Sequence, residues 1–236
     1  MTNLEMLQNI KTEIKNSIEE HSIEVDCGMI GYPDKIRSIP SAPKKINVEK
    51  NTKFAYSSFK NIPDFDTSEY TDMSYMFYAC NNLTAIPEFD TSNVTNMSNM
   101  FFNCRNLMSI PEFDTSNVTN MSNMFYGCAA KSIPLLDASK VTKFKNVISA
   151  AGVELGGFKN LGMQKSLDTS SDDLYKSPFY GVVLSKTSVL NIFNNLYDRS
   201  AANYSAVTLW FDRDIDVTEE EIAIATNKGW IINWYG

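Results

Sequence analysis

The sequence predicts an α/β solenoid with a different structure at each end, and three observations predict it. A phrase of about 24 residues recurs along the middle of the chain. Apolar residues occupy the same places in every copy. The phrase stops at both ends, where helix-like and strand-like patterns replace it. A unit this short cannot bury its own apolar side, so copies must stack and turn equivalent residues into continuous buried columns.

From the N-terminus, Leu4, Leu7, Ile10, Ile14 and Ile18 recur at steps of three and four, which predicts an amphipathic helix over residues 3–20. With little more than two heptads it is short for an independent coiled coil. It serves either as a cap on the stack or as a helix for self-association or docking. His21, the only histidine, follows it, where a protonated ring suits the helix dipole. Residues 1–35 form this N-terminal unit.

The solenoid is placed at residues 36–162, with its clear repeats at 62–148. Three copies begin at Ile62, Ile86 and Ile110, and the stretch PEFDTSNVTNMSNMF is identical in the last two. A weaker copy opens at Ile133 with IPLLDASKVTKFKNVI. Ile36, Ile39-Pro40 and Phe54 mark a degenerate first repeat, as expected of a unit that ends a stack. The expected core columns are Leu83/Leu107; Ile62/Ile86/Ile110/Ile133; Phe65/Phe89/Phe113; Met73/Met97/Met121; Met76/Met100/Met124; Phe77/Phe101/Phe125; and Cys80/Cys104/Cys128. Methionine fills irregular space and cysteine packs as a small apolar side chain. Each repeat should place a short strand near Leu-Thr-Ala-Ile, a turn at Asp-Thr-Ser, and a helical or 3₁₀ turn around Met-Ser-Asn-Met-Phe.

The last repeat-like turn is GGFKNLG, Gly156 to Gly162, and residues 163–236 form a C-terminal α/β cap. Within it, 166–177 is a polar loop, 187–197 a helix and 206–211 (AVTLWF) a strand. A second helix begins at an N-cap, Thr218, with Glu221 as its capping-box partner. It should end at Lys228-Gly229 with a basic last turn. WIINWY, residues 230–235, is a closing strand.

Composition narrows the function. The net charge is −7, and no cluster of Lys and Arg matches the phosphates of a nucleic acid, so none is expected as a partner. No apolar run reaches the roughly 18 residues of a membrane helix, so no membrane insertion is expected. The opening residues lack the basic start and apolar run of a secretory signal, which leaves the chain in the cytosol where it is made unless a lysing virus particle carries it out. No GxSxG, P-loop, GxGxxG or HExxH occurs, and a Ser/His or Cys/His pair would have to use His21. No catalytic residue, cofactor or metal is therefore expected.

Two ladders remain as candidates. Asp66, Asp90, Asp114 and Asp137 stack as carboxylates that could bind calcium, although Asp in such turns usually accepts from nearby backbone N–H groups. Tyr78, Phe102 and Tyr126 each follow a core Phe and form either a stripe for sugar or protein recognition or packing between coils. Tyr75, Asn99 and Asn123 form the neighbouring column. These six residues are the expected binding surface. The stacked cysteines, beside core aromatics, should be free buried thiols.

DTSNVTNMSNMF with a following Cys, Leu and Ile-Pro resembles the BspA-like leucine-rich repeats of bacterial surface proteins, copies of which also occur in bacteriophage structural proteins. GGFKNLG, VLNIFNNLYD and TEEEIAIATNKGW resemble the end domain that accompanies these repeats in phage and prophage proteins; IKNSIEE and GYPDKIRSI resemble their start. The first copy departs from the pattern, with Glu69-Tyr70-Thr71-Asp72 replacing Asn-Val-Thr-Asn. The resemblance implies a leucine-rich-repeat-type solenoid and a non-enzymatic role in a virion, as a fibre, tail or capsid-decorating protein. The partners implied are other virion proteins or a host surface protein or glycan. A bacterial cell-surface adhesin is the alternative, and a glycan-cleaving enzyme a more distant one.

Overall fold

In the computed structural model, residues 53–62, 65–149, 153–164, 167, 179, 182–201, 207–212 and 215–235 are described. The helix expected over residues 3–20, His21, Cys27, Ile36 and Ile39-Pro40 lie outside them, as does all of the 166–177 stretch except Leu167.

Successive repeats lie side by side and are tied by parallel pairing. Asp72, Asn96, Asn120 and Lys143 are bridged in sequence. Within each repeat, alternate amides point the same way. Those of Met73, Tyr75, Phe77 and Ala79 donate to the carbonyls of Asn96, Ser98, Met100 and Phe102 in the next repeat, and the pattern recurs from Met97 to Asn103. The intervening amides close short turns inside the repeat, Met76 to Met73 and Tyr78 to Tyr75. Regular helix does not form around Met-Ser-Asn-Met-Phe, because Tyr75, Asn99, Asn123 and Asn146 take positive φ, between 47° and 59°. A left-handed residue breaks a helical run after one turn, and Asn tolerates that conformation better than most residues.

Near Leu-Thr-Ala-Ile the expected strand is reduced to a bridge, Asn61 with Ala85, and to single bonds such as Thr84 N–H to Lys60 O at 2.9 Å. Only around the last repeats does it lengthen, into β1 (Ser132–Ile133) paired with β3 (Glu154–Leu155) and β2 (Leu136–Asp137) paired with β4 (Phe158–Lys159), both parallel. Pro87, Pro111 and Pro134 follow the Ile of each copy and cannot donate to a ladder, which keeps these segments short.

The core consists of columns. Met73, Met76, Met97, Met100, Met121 and Met124 are fully buried, as are Leu83 and Leu107; Ile86 is only half-buried. The rings of Phe77, Phe101 and Phe125 stack at 5.6 and 5.7 Å, inclined by 10° and 8°, and Phe54 extends the pile at 5.8 Å. Offset aromatic pairs each contribute about 0.5–1.5 kcal/mol beyond the area they bury. Cys80, Cys104 and Cys128 are free and buried. The first two thiols donate to the carbonyls of Phe54 and Phe77 at 3.0 Å. Burial pushes all three thiols up, Cys128 to about 11.

Beyond the repeats, α1 (Lys186–Asn195) begins at Ser185, whose hydroxyl accepts from Ser188 N–H. This helix is bonded to the last paired segments. Ser188 Oγ accepts from Leu155 N–H at 2.9 Å, and Asn191 donates to Leu155 O at 2.7 Å. Strand β5 (Val207–Asp212) pairs in parallel with β6 (Trp230–Tyr235), from Val207 opposite Trp230 to Asp212 opposite Tyr235. Parallel neighbours need a crossover, and α2 (Glu219–Thr226) supplies it, opening with a complete Thr218–Glu221 capping box.

The expected basic last turn of α2 needs correcting. Lys228 lies past the helix, and its ammonium reaches α1 instead, donating to the carbonyls of Phe193, Asn194 and Leu196 at 3.0, 2.8 and 3.2 Å. These are the end carbonyls of a helix with no basic residue in its own last turn. Lys228→Met keeps the aliphatic stem and removes the cap. The variant is expected to lose about 1–2 kcal/mol in urea denaturation, at the low end for a charged donor because desolvation offsets part of the gain.

Candidate binding surface

The six candidate residues come together on one face, and the repeat geometry explains how. Tyr78, Phe102 and Tyr126 each stand three residues after a left-handed residue, and their amides bond back to the carbonyls of Tyr75, Asn99 and Asn123. This turn aims the preceding Phe into the core and the following ring outward. Because equivalent residues pair across repeats, the outward rings stack. Tyr78 lies 4.7 Å from Phe102 at 6°, and Phe102 lies 5.1 Å from Tyr126 at 12°. The ladder therefore packs between repeats and also lines the surface, so the two readings open at the level of sequence are not exclusive.

Exposure along the ladder follows from the stacking. The middle rungs, Tyr78 and Phe102, are half-buried by their neighbours. Tyr126 is 38 % exposed, since the position beyond it is held by Ser149, next to the bridged Ile148. At the other end Tyr75 is tilted 42° from Tyr78 at 5.5 Å and is 47 % exposed. Tyr56, 67 % exposed, leans on Tyr78 at 5.3 Å and 59°. Sequence reasoning missed Tyr56, because it belongs to a different column. Its amide bonds to Tyr78 O as that of Ala79 bonds to Phe102 O, and it shares the positive φ of Ala79, Asn103 and Gly127. That column, with a small or amide residue in three of four copies, was the available signal. Partial burial, and then the neighbouring Tyr56 and Tyr75, push the Tyr78 phenol up, so it remains protonated at neutral pH.

Asn99 and Asn123 thus have a backbone reason to be asparagine. Their carboxamides differ from others in the repeats. Those of Asn93, Asn106 and Asn117 donate to Ser68 O, Asn81 O and Ser92 O, and those of Asn96 and Asn120 accept from Ser98 and Ser122 amides. Among the described residues, no such bond ties the carboxamides of Asn99, Asn103 and Asn123.

The aspartate ladder has local work of its own. Asp66, Asp90, Asp114 and Asp137 accept from the amides of Ser68, Ser92, Ser116 and Ser139 at 2.8–3.1 Å. Thr67, Thr91 and Thr115 donate to the carbonyls of Asp90, Asp114 and Asp137, locking turn to turn. In the divergent first copy, Tyr70 is buried against Phe65 where Val94 and Val118 stand later, and Asp72 pairs with Lys53 at 3.7 Å. Among the described residues, no group of three or more His, Cys, Asp or Glu is placed to hold a metal ion, and no helix is long and apolar enough to cross a membrane.

The Ser116 hydrogen bonds hold the Asp114 carboxyl below the ordinary aspartate value. A depressed folded-state value means stabilisation that is present above the unfolded value and lost as pH falls through the folded one. Melting temperature is therefore expected to drop on acidification below about pH 4. Asp114→Asn, which keeps an oxygen acceptor, should flatten that part of the profile; an unchanged acid limb would show that the turn carboxylate is not coupled to folding.

Residues 47–155 match a known family. Its description is "Mycoplasma protein of unknown function, DUF285", and the matched span takes in the stacked repeats and ends at β3. No curated protein and no solved structure matches the chain.

Proposed function

We infer that the chain is a leucine-rich-repeat-type solenoid that works without catalysis, as a bacteriophage structural component that presents its repeats for attachment. It would be a fibre, tail or capsid-decorating protein, held in the particle by one end and facing the host or another virion protein with its aromatic row. The carrying observation is the continuous row of outward rings on repeats whose other apolar columns are almost entirely buried. A stack that needed those rings only for stability would gain by burying the end rungs too, whereas Tyr56, Tyr75 and Tyr126 are the most exposed aromatics among the described residues.

A bacterial surface adhesin of the BspA type is the second reading. The DUF285 match favours it, since that description names a bacterial protein. Mass spectrometry of purified particles separates the two. Stoichiometric copies in the virion support the first reading; recovery only in bacterial envelope fractions transfers the role to the cell surface and refutes the first.

Both readings place contact on the ring ladder. Tyr126→Ala removes a terminal rung whose ring stacks on the half-buried Phe102. The variant is expected to melt within a few degrees of the parent and to attach about ten-fold more weakly, the loss of one moderate hot spot. Unchanged attachment would take the ladder out of the contact surface.

A further inference from the structure

We propose that the aromatic ladder is a binding site for a neutral oligosaccharide, with its end rings as stacking platforms and the carboxamides of Asn99, Asn103 and Asn123 as hydrogen-bonding groups between them. The inference rests on the attachment reading and names the chemistry of its partner.

Four observations converge on this ligand class. The first is ring geometry. Sugar C–H groups pack on the flat face of an aromatic ring, and the inner rungs have lost their faces to one another at 4.7 and 5.1 Å. Free faces remain where the stack ends or tilts, at Tyr126 and at Tyr56 and Tyr75, which are the exposed rings. The second is the set of uncommitted amides. A carboxamide offers two donors and an acceptor, matching the hydroxyls of a sugar. The third is charge. The segments 75–79, 99–103 and 123–127 contain no Lys, Arg, Asp, Glu or His, on a chain with a net charge of −7. A sulfated or sialylated glycan would find no cation within these segments, and the flanking Lys53 is already engaged by Ser74 Oγ at 3.0 Å and by Asp72, while a neutral glycan needs none. The fourth is size. From Tyr56 to Tyr126 the row advances by three ring-to-ring steps of 4.7–5.3 Å. That length suits a few sugar units.

The positive φ at Asn99, Asn103 and Asn123, between 56° and 58°, makes a clean test available. Glycine adopts that conformation without strain, so Asn99→Gly with Asn123→Gly removes two amides and leaves the turns in place. The full chain would be applied to a printed array of neutral hexose and N-acetylhexosamine oligomers beside sialylated and sulfated ones. The strongest neutral oligomer is then titrated into the parent, the Asn99→Gly/Asn123→Gly variant and Tyr126→Ala, with melting followed in parallel. The proposal expects binding to neutral oligomers, a three- to ten-fold loss in the amide variant and at least a ten-fold loss in Tyr126→Ala, with folding retained in both. Binding confined to charged glycans, an array with no bound spot, or folded variants that bind like the parent would each overturn it. Adherence to intact bacterial cells before and after mild periodate oxidation, which cleaves sugar diols, separates this proposal from the attachment reading. Adherence that survives periodate but is lost in Tyr126→Ala identifies a protein partner, overturning the glycan while leaving attachment standing. Oligosaccharide binding on the array without adherence to any cell upholds the glycan site and removes the attachment role.

Discussion

Met100→Asp is expected to abolish cooperative folding. Met100 is fully buried in the column Met76/Met100/Met124, and its carbonyl accepts from Phe77 N–H of the preceding repeat at 2.9 Å. Aspartate would lose the apolar contacts of the thioether, about 2–5 kcal/mol for truncation of a buried methionine. It would also bring in a carboxyl without a counter-charge, which costs several kcal/mol more whether it is buried as the ion or forced to take up a proton. The total rivals the whole stability of an ordinary domain, about 5–15 kcal/mol. Circular dichroism at 37 °C should show loss of the folded signal and no melting transition. Met100→Leu, close in volume, should cost less than about 1.5 kcal/mol. An aspartate variant that melts within a few degrees of the parent would refute the column.

The second large effect is expected at Gly156→Ala. Gly156 follows β3 and its amide donates to Ile133 O at 2.9 Å, so its backbone lies against that of the previous repeat. A Cβ there would come to 2.8 Å from Pro134 C and 2.9 Å from Leu135 Cα, and closer still to Leu135 N. None of these atoms belongs to a side chain that could swing aside, so the β1–β3 and β2–β4 pairs must separate. Overpacking of this kind costs about 1–3 kcal/mol, and the upper part of that range is expected because inter-repeat hydrogen bonds lengthen with it. Gly127 is the useful contrast: a Cβ there meets chiefly the side chain of Asn103, which can rotate, and the left-handed backbone, which Ala79 adopts at the equivalent position, adds about 1–2 kcal/mol. Chemical denaturation should therefore rank Gly156→Ala above Gly127→Ala, and the reverse order would disprove the backbone contact.

How far the sequence reveals these features depends on whether a feature repeats. Columns such as Met97/Met121 and Phe101/Phe125 were legible because an identical phrase returns at a fixed interval, and periodicity alone separates buried from exposed positions. Thr218 with Glu221 was legible because a capping box is local. Contacts set by three-dimensional path were not. Tyr56 joins the aromatic row from another column, whose later copies carry Ala79, Asn103 and Gly127 and so show no aromatic pattern. Lys228 was assigned to the helix it follows, yet it caps α1, a partner some 34 residues away in sequence. The left-handed residues were hidden differently: Tyr75 and Asn99 share a backbone conformation that their side chains do not share. The six candidate residues lie beside one another, while the reason for their asparagines follows only from the folded backbone.

The pairing described above also determines how the molecule bears load. From Met73 to Asn103 the amides that join one repeat to the next lie along the stacking direction, those of Met73–Ala79 and Met97–Asn103 toward the following repeat and those of Thr84 and Thr95 toward the preceding one. Tension applied between the two ends would thus load these bonds in series, one repeat after another, and not in shear across the whole array. Each released unit of about 24 residues pays out on the order of 80 Å of extended chain. A stack built this way yields in steps, lengthening under a sudden pull while the repeats not yet opened stay folded.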